Sequence, residues 1–226
     1  MRDATAGAGY LPGVAGDDWY RGSAWDRRTR ELFEGKLSRA RVHTRAQYLR
    51  IKGLALTASE SESVRAAGRD LLKRVVDEHS DDEVQVTLAH RELAQSLADD
   101  GSFVEAAEHY RAAMEGPRTV VTHAELGFAE LVLQAGWVDR HDEALDMLRK
   151  DEASHDPFPA MRFRWNLAAA RLASRSGHPG DAQELAKIAL RALDETESPF
   201  PRHTELGLAS ADHQTIQELH RIAAGA

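Results

Sequence analysis

The chain contains no cysteine. That excludes disulfide staples, thiolate zinc sites, cysteine-held iron–sulfur clusters and a cysteine nucleophile. Aromatic side chains are few, at 6%, while alanine recurs throughout. Small side chains let helices approach closely and favour the helical state, so this balance suits packed helix pairs better than a sandwich or barrel. No stretch alternates β-branched and polar residues with period two. No apolar run is long enough to cross a bilayer. The opening MRDATAGAGYLPGVAGDD has neither the basic head nor the continuous apolar middle of an export signal, so the expected location is the cytoplasm. A sustained basic block is missing too. Residues 1–45 carry 9 basic and 6 acidic side chains, leaving 20 basic against 31 acidic beyond them, for a formal net charge of −8. Duplex nucleic-acid binding, which is chiefly phosphate neutralisation, is therefore disfavoured.

What the chain does have is an internal repeat. Residues 87–114, TLAHRELAQSLADDGSFVEAAEHYRAAM, divide at Gly101 into two amphipathic helices. Leu93, Ala94 and Leu97 line one face of the first, and Phe103, Ala106, Tyr110 and Ala113 one face of the second. Neither helix can form a core alone. Aligned on the small residue of the second helix, Ala67, Ala106, Ala144 and Ala182 are separated by 39, 38 and 38 residues. The position four further on holds Leu71, Tyr110, Leu148 and Ala186. Helix pairs with two apolar faces bury both only by stacking on one another.

The Leu93-Ala94, Leu97, Gly101, Ala106, Tyr110 and Ala113 pattern resembles the tetratricopeptide repeat (TPR) family, and Ala169, Ala170, Gly177, Ala182, Ala186 and Ala189 match it again. The resemblance covers roughly residues 48–195. The repeats are longer than the family's 34 residues, with Glu62 near the first turn position and Asp139 after an early Gly136 in the third. It implies an all-α fold: a right-handed α-solenoid of about four TPR-like hairpins with N- and C-terminal capping helices.

The expected organisation is a mobile segment over 1–18, an aromatic segment and capping helix over 19–45, four repeats over 46–195, and a link with a capping helix over 196–226. Trp19, Tyr20 and Trp25 either pack over the end of the first repeat or form a docking patch. Asp26 is a candidate N-cap, Ser80 or Asp81 another, and Ser102 with Glu105 forms a capping-box pattern. Trp137 reads as a plug between units. Arg39, Arg41 and Arg45 invite a structured-RNA reading, against solvated or intrachain-paired arginines.

No catalytic, cofactor-binding or metal-ligating residues are assigned. The eleven histidines fall into no HExxH pattern, and there is no phosphate loop, EF-hand or nucleophile elbow. Arg140-His141-Asp142-Glu143 points in several directions on a helix and makes no clamp. In TPR-like proteins the second, fifth, ninth and twelfth positions of each first helix face a groove. Carried over, these are Leu88, Arg91, Gln95 and Ala98, then Arg164, Leu167, Arg171 and Ser174, with Lys52 at the fifth position of the first unit. The expected peptide-binding residues are Lys52, Arg91, Gln95, Arg164 and Arg171, and the expected partner is a protein or peptide of acidic or extended character. Gly53 and Leu56 replace the polar groups of the family's carboxylate clamp. A non-enzymatic scaffold leads. A ligand-sensing domain, an enzyme with dispersed residues, an RNA module and self-association through Trp19/Trp25 or an array end are the alternatives.

Overall fold

The computed structural model describes residues 18–150, 157–200, 202–203 and 206–225. The expected mobile segment over 1–18 lies outside these apart from Asp18, as do residues 151–156 of the polar link. Among the described residues all regular structure is helical: α1 (Arg27–Arg39), α2 (Val42–Thr57), α3 (Glu62–Glu78), α4 (Glu83–Asp99), α5 (Phe103–Met114), α6 (Ala124–Ala135), α7 (His141–Lys150), α8 (Pro159–Arg175), α9 (Pro179–Asp194) and α10 (His213–Ala224). None of them is long and apolar enough to cross a membrane. The chain divides into two compact units, residues 1–85 and 86–226, and the division falls inside α4.

In the first unit, α2 and α3 meet glycine to glycine. A Cβ on Gly68 would stand 2.8 Å from both the Gly53 carbonyl oxygen and the Thr57 nitrogen. Leu56, Leu72 and Val75 are fully buried beside this contact. Ala67 is only partly buried, whereas Gly68 is buried. The equivalent small residue of the first repeat is therefore Gly68 and not Ala67. With that correction Gly68, Ala106, Ala144 and Ala182 are spaced 38 residues apart throughout. The first helices follow the same period, because Leu56, Ala94, Val132 and Ala170 are each 0% exposed.

The second unit packs consecutive helices on one another. Ala94, Leu97, Ala106, Tyr110, Ala129, Val132, Ala144, Leu148, Trp165 and Ala169 belong to one continuous buried cluster. The α8–α9 seam is nearly all alanine: Ala170, Ala186, Ala189 and Ala192 are buried there with Phe163, and Leu219 of α10 closes the far end. Two turns need glycine. Gly101 (φ +80°) and Gly177 (φ +78°) are left-handed, and the next amide donates back five residues, Ser102 to Leu97 at 2.8 Å and His178 to Ala173 at 2.9 Å. That is the Schellman closure. In the third repeat the left-handed glycine comes early, at Gly136, and a 3-10 turn over Val138–Arg140 restores the register before α7. Trp137 packs against the main core of this unit, and Arg140 lies 4.6 Å over its ring.

Ion pairs repeat with the same period. Arg111 of α5 meets Glu143 of α7 at 2.8 Å. Arg149 of α7 meets Asp181 of α9, each partner 38 residues further on.

Capping was only partly legible. Asp26 accepts from the Thr29 amide at 2.8 Å, as expected. The cap before α4 is Asp82, which accepts from the Gln85 amide at 3.1 Å, not Ser80 or Asp81. Ser102 makes no side-chain cap bond, so its part in the expected capping box is not realised.

Candidate functional site

In the second unit one buried tyrosine stands among polar side chains of three helices. Tyr110 of α5 is buried, and its ring lies where a Cβ on Gly127 of α6 would be. Burial pushes its phenol up to about 12, with Glu130 and Asp99 adding to the rise while Arg91 and Arg164 oppose it. Four charged side chains from α4, α6 and α8 thus act on one hydroxyl. That hydroxyl donates to Gln95 Oε1 at 3.4 Å, and Gln95 Nε2 donates to Asp99 at 2.9 Å.

Beyond this cluster a concavity of about 240 Å³ lies between α6 and α8. Leu133 and Leu167 form part of its lining, with Glu130, Arg164, Arg171 and Arg175 around them. Arg164 donates to both oxygens of Glu130, at 3.0 and 2.7 Å. Arg171 reaches Glu218 of α10, its Nη2 donating at 2.6 Å. The structure therefore brings Arg164 and Arg171 to one concavity and sets Arg91 and Gln95 around Tyr110. Each of the two groove arginines is also paired to a glutamate of a neighbouring helix. Such pairs are partly exposed, at 45%/37% and 28%/27% for the two side chains, and pairs of this kind contribute about 0.2–1 kcal/mol.

Lys52 is in a different position. It is 3% exposed, and its ammonium donates to the Gly22 and Ala24 carbonyls at 2.5 and 3.1 Å while lying 5.4 Å from the Trp25 ring. Desolvation lowers its pKa. The corrected register explains this: 38 residues before Arg91 stands Gly53, not Lys52. Lys52 is a latch for the N-terminal segment, with no free face for a peptide.

Trp19, Tyr20 and Trp25 also fold onto the first unit. Trp19 packs 5.2 Å from Phe33 and 5.0 Å from Tyr48, Tyr20 4.6 Å from Tyr48, and Trp25 5.7 Å from Phe33. Arg39 and Arg45 are engaged nearby with backbone carbonyls of Gly35, Ser38 and Ala40, so they close the α1–α2 turn.

His90 and His109 face each other across α4 and α5 with Nδ1 atoms 2.9 Å apart. His141 is 3% exposed, and neither ring nitrogen has a hydrogen-bond partner. Among the described residues no three His, Asp or Glu side chains are grouped to hold a metal ion. Glu218 could not be placed from sequence, because α10 lies outside the repeat and its register against α8 is not periodic. Comparison with protein-family models, curated proteins and solved structures finds no match for the chain.

Proposed function

We propose that the second unit is a short right-handed α-solenoid of TPR-like hairpins acting as a non-enzymatic interaction scaffold, whose inner face takes an acidic, extended peptide. The 38-residue recurrence of buried positions and of the Arg111–Glu143 and Arg149–Asp181 ties supports the repeat. The observation that carries the binding role is the concavity between α6 and α8, where Arg164 and Arg171 stand at first-helix positions beside the apolar patch of Leu133 and Leu167. Both arginines use Nε and Nη2 on their glutamates. Each guanidinium has five N–H donors, so further donors are left for an incoming carboxylate. Selectivity would come from side chains displayed on a stacked array, not from bond chemistry.

The test is the affinity of a fluorescent glutamate-rich peptide, measured by anisotropy at low and high salt. Replacing Arg91 and Arg171 together with alanine is expected to weaken binding roughly tenfold, about 1.4 kcal/mol, with helicity retained. Lys52→Met, a change in the first unit, is expected to leave affinity as it was. An unchanged affinity in the double variant would remove the groove.

A further inference from the structure

Next to the first concavity lies a second, of about 470 Å³, between α8 and α10. The two share Arg171 and Arg175 in their walls. Two arginines of the second concavity differ from those already described. Arg175 and Arg221 are exposed, and among the described residues neither has an ion-pair partner. Arg175 ends α8 and Arg221 lies in the last turn of α10. Each opposes the negative end of its own helix dipole, worth about 0.3–1 kcal/mol. That accounts for a basic residue at each site. It does not account for both side chains facing one concavity.

Among the described residues that line the two concavities, Arg164, Arg171, Arg175 and Arg221 stand with two carboxylates, Glu130 and Glu218. Of these four, Arg171 is the arginine held by Glu218, through Nε and Nη2. Within a chain of net charge −8, this end of the inner face carries guanidinium in excess. The Arg171–Glu218 contact also shows which anion the geometry accepts: a glutamate side chain, held by Nε and Nη2 together.

We propose that Arg175 and Arg221 form an anion subsite at the α8–α10 end of this face, which takes a side-chain carboxylate of an acidic peptide, with Glu218 as a built-in competitor that holds Arg171. This rests on the groove reading and fixes where the peptide is anchored. Phosphate would engage guanidinium by similar chemistry, and the glutamate already seated on Arg171 favours the carboxylate.

The experiment uses the full chain and an N-acetylated, C-amidated, fluorescently labelled octaglutamate, so that only side chains offer carboxylates. Arg175→Ala with Arg221→Ala is expected to weaken binding at least tenfold. Glu218→Gln is expected to strengthen it severalfold by freeing Arg171. All three substitutions are at partly or fully exposed sites, and circular dichroism checks that the helices persist. Three results would overturn the subsite. One is affinity kept in the Arg175/Arg221 variant yet lost with Arg91→Ala and Arg164→Ala, which leaves the groove reading standing. Another is displacement of the peptide by inorganic phosphate at concentrations where acetate has no effect, which overturns the subsite as one for carboxylate. No binding by the unaltered chain at low ionic strength would overturn both subsite and groove.

Discussion

The two units fill the same 38-residue frame in opposite ways. In the first, the α2–α3 contact is Gly53 against Gly68, the seam is closed by Leu56, Leu72 and Val75, and the position equivalent to Arg91 is a bare glycine. In the second, alanine stands at the contacts, a tyrosine replaces Leu72, and arginine appears at first-helix positions. The difference teaches where freedom lies in a helical repeat. Bringing two helices close with glycine leaves no side chain to display at that point. Holding them slightly apart with alanine leaves neighbouring positions open to charge. Among the described residues of the first unit the buried cation is Lys52, and it ties down Gly22 and Ala24.

The sharpest way to break this comparison is at the equivalent large residues. Tyr110→Ala is expected to destabilise the second unit by about 3–5 kcal/mol, since a buried ring is lost beside Gly127. Denaturant unfolding followed by circular dichroism measures it, and a loss below about 1 kcal/mol would show that the α5–α6 seam does not depend on the ring.

A second test uses the titration that only one of the two positions can have. Burial pushes the Tyr110 phenol up to about 12 in the folded chain, from its ordinary value of 10.0. The folded state therefore holds its proton longer than the unfolded chain. Stability is intact below pH 10 and is lost as pH rises from 10 towards 12, by an amount on the order of 2–3 kcal/mol. Phenolate absorbance should show one tyrosine titrating near the top of that range, and Tyr110→Phe should remove the step.

How far the sequence foretold all this depended on which signals are periodic. The hairpin ends, the turn glycines Gly101 and Gly177 and the last helix are written in spacing and residue type, and the structure has them. The first repeat was misaligned by one residue because Ala67 and Gly68 are adjacent and both small. Only the Gly53–Gly68 approach, a contact between distant segments, separates them. That single step also put Lys52 on the groove. Its true partners are backbone carbonyls, which leave no trace in a sequence. Glu218 was out of reach for a related reason: it lies 47 residues from Arg171, beyond the repeat, so no period relates the two.

A smaller effect follows from the misaligned pair. Gly68→Ala must push its Cβ into backbone atoms that no rotamer can move, and should cost the first unit about 1–3 kcal/mol. Ala106→Gly, 38 residues on, should cost about 0.5–1 kcal/mol through helix propensity and about 0.8 kcal/mol for its buried methyl group, with no clash against backbone. Paired thermal melts would reveal the ranking, and equal costs would mean that the two seams are not built differently.

The smallest expected change is at the repeated ion pairs. Arg149→Ala should cost about 0.2–1 kcal/mol, because both partners are substantially exposed, and the loss should shrink in high salt.

The most direct measurement is hydrogen–deuterium exchange of the full chain with and without saturating octaglutamate. Slowed exchange concentrated in α6, α8 and α10, with α2 and α3 unaffected, is the expected result. Protection confined to the first unit, or none anywhere at low salt, would contradict the assignment of recognition to the arginine-bearing face.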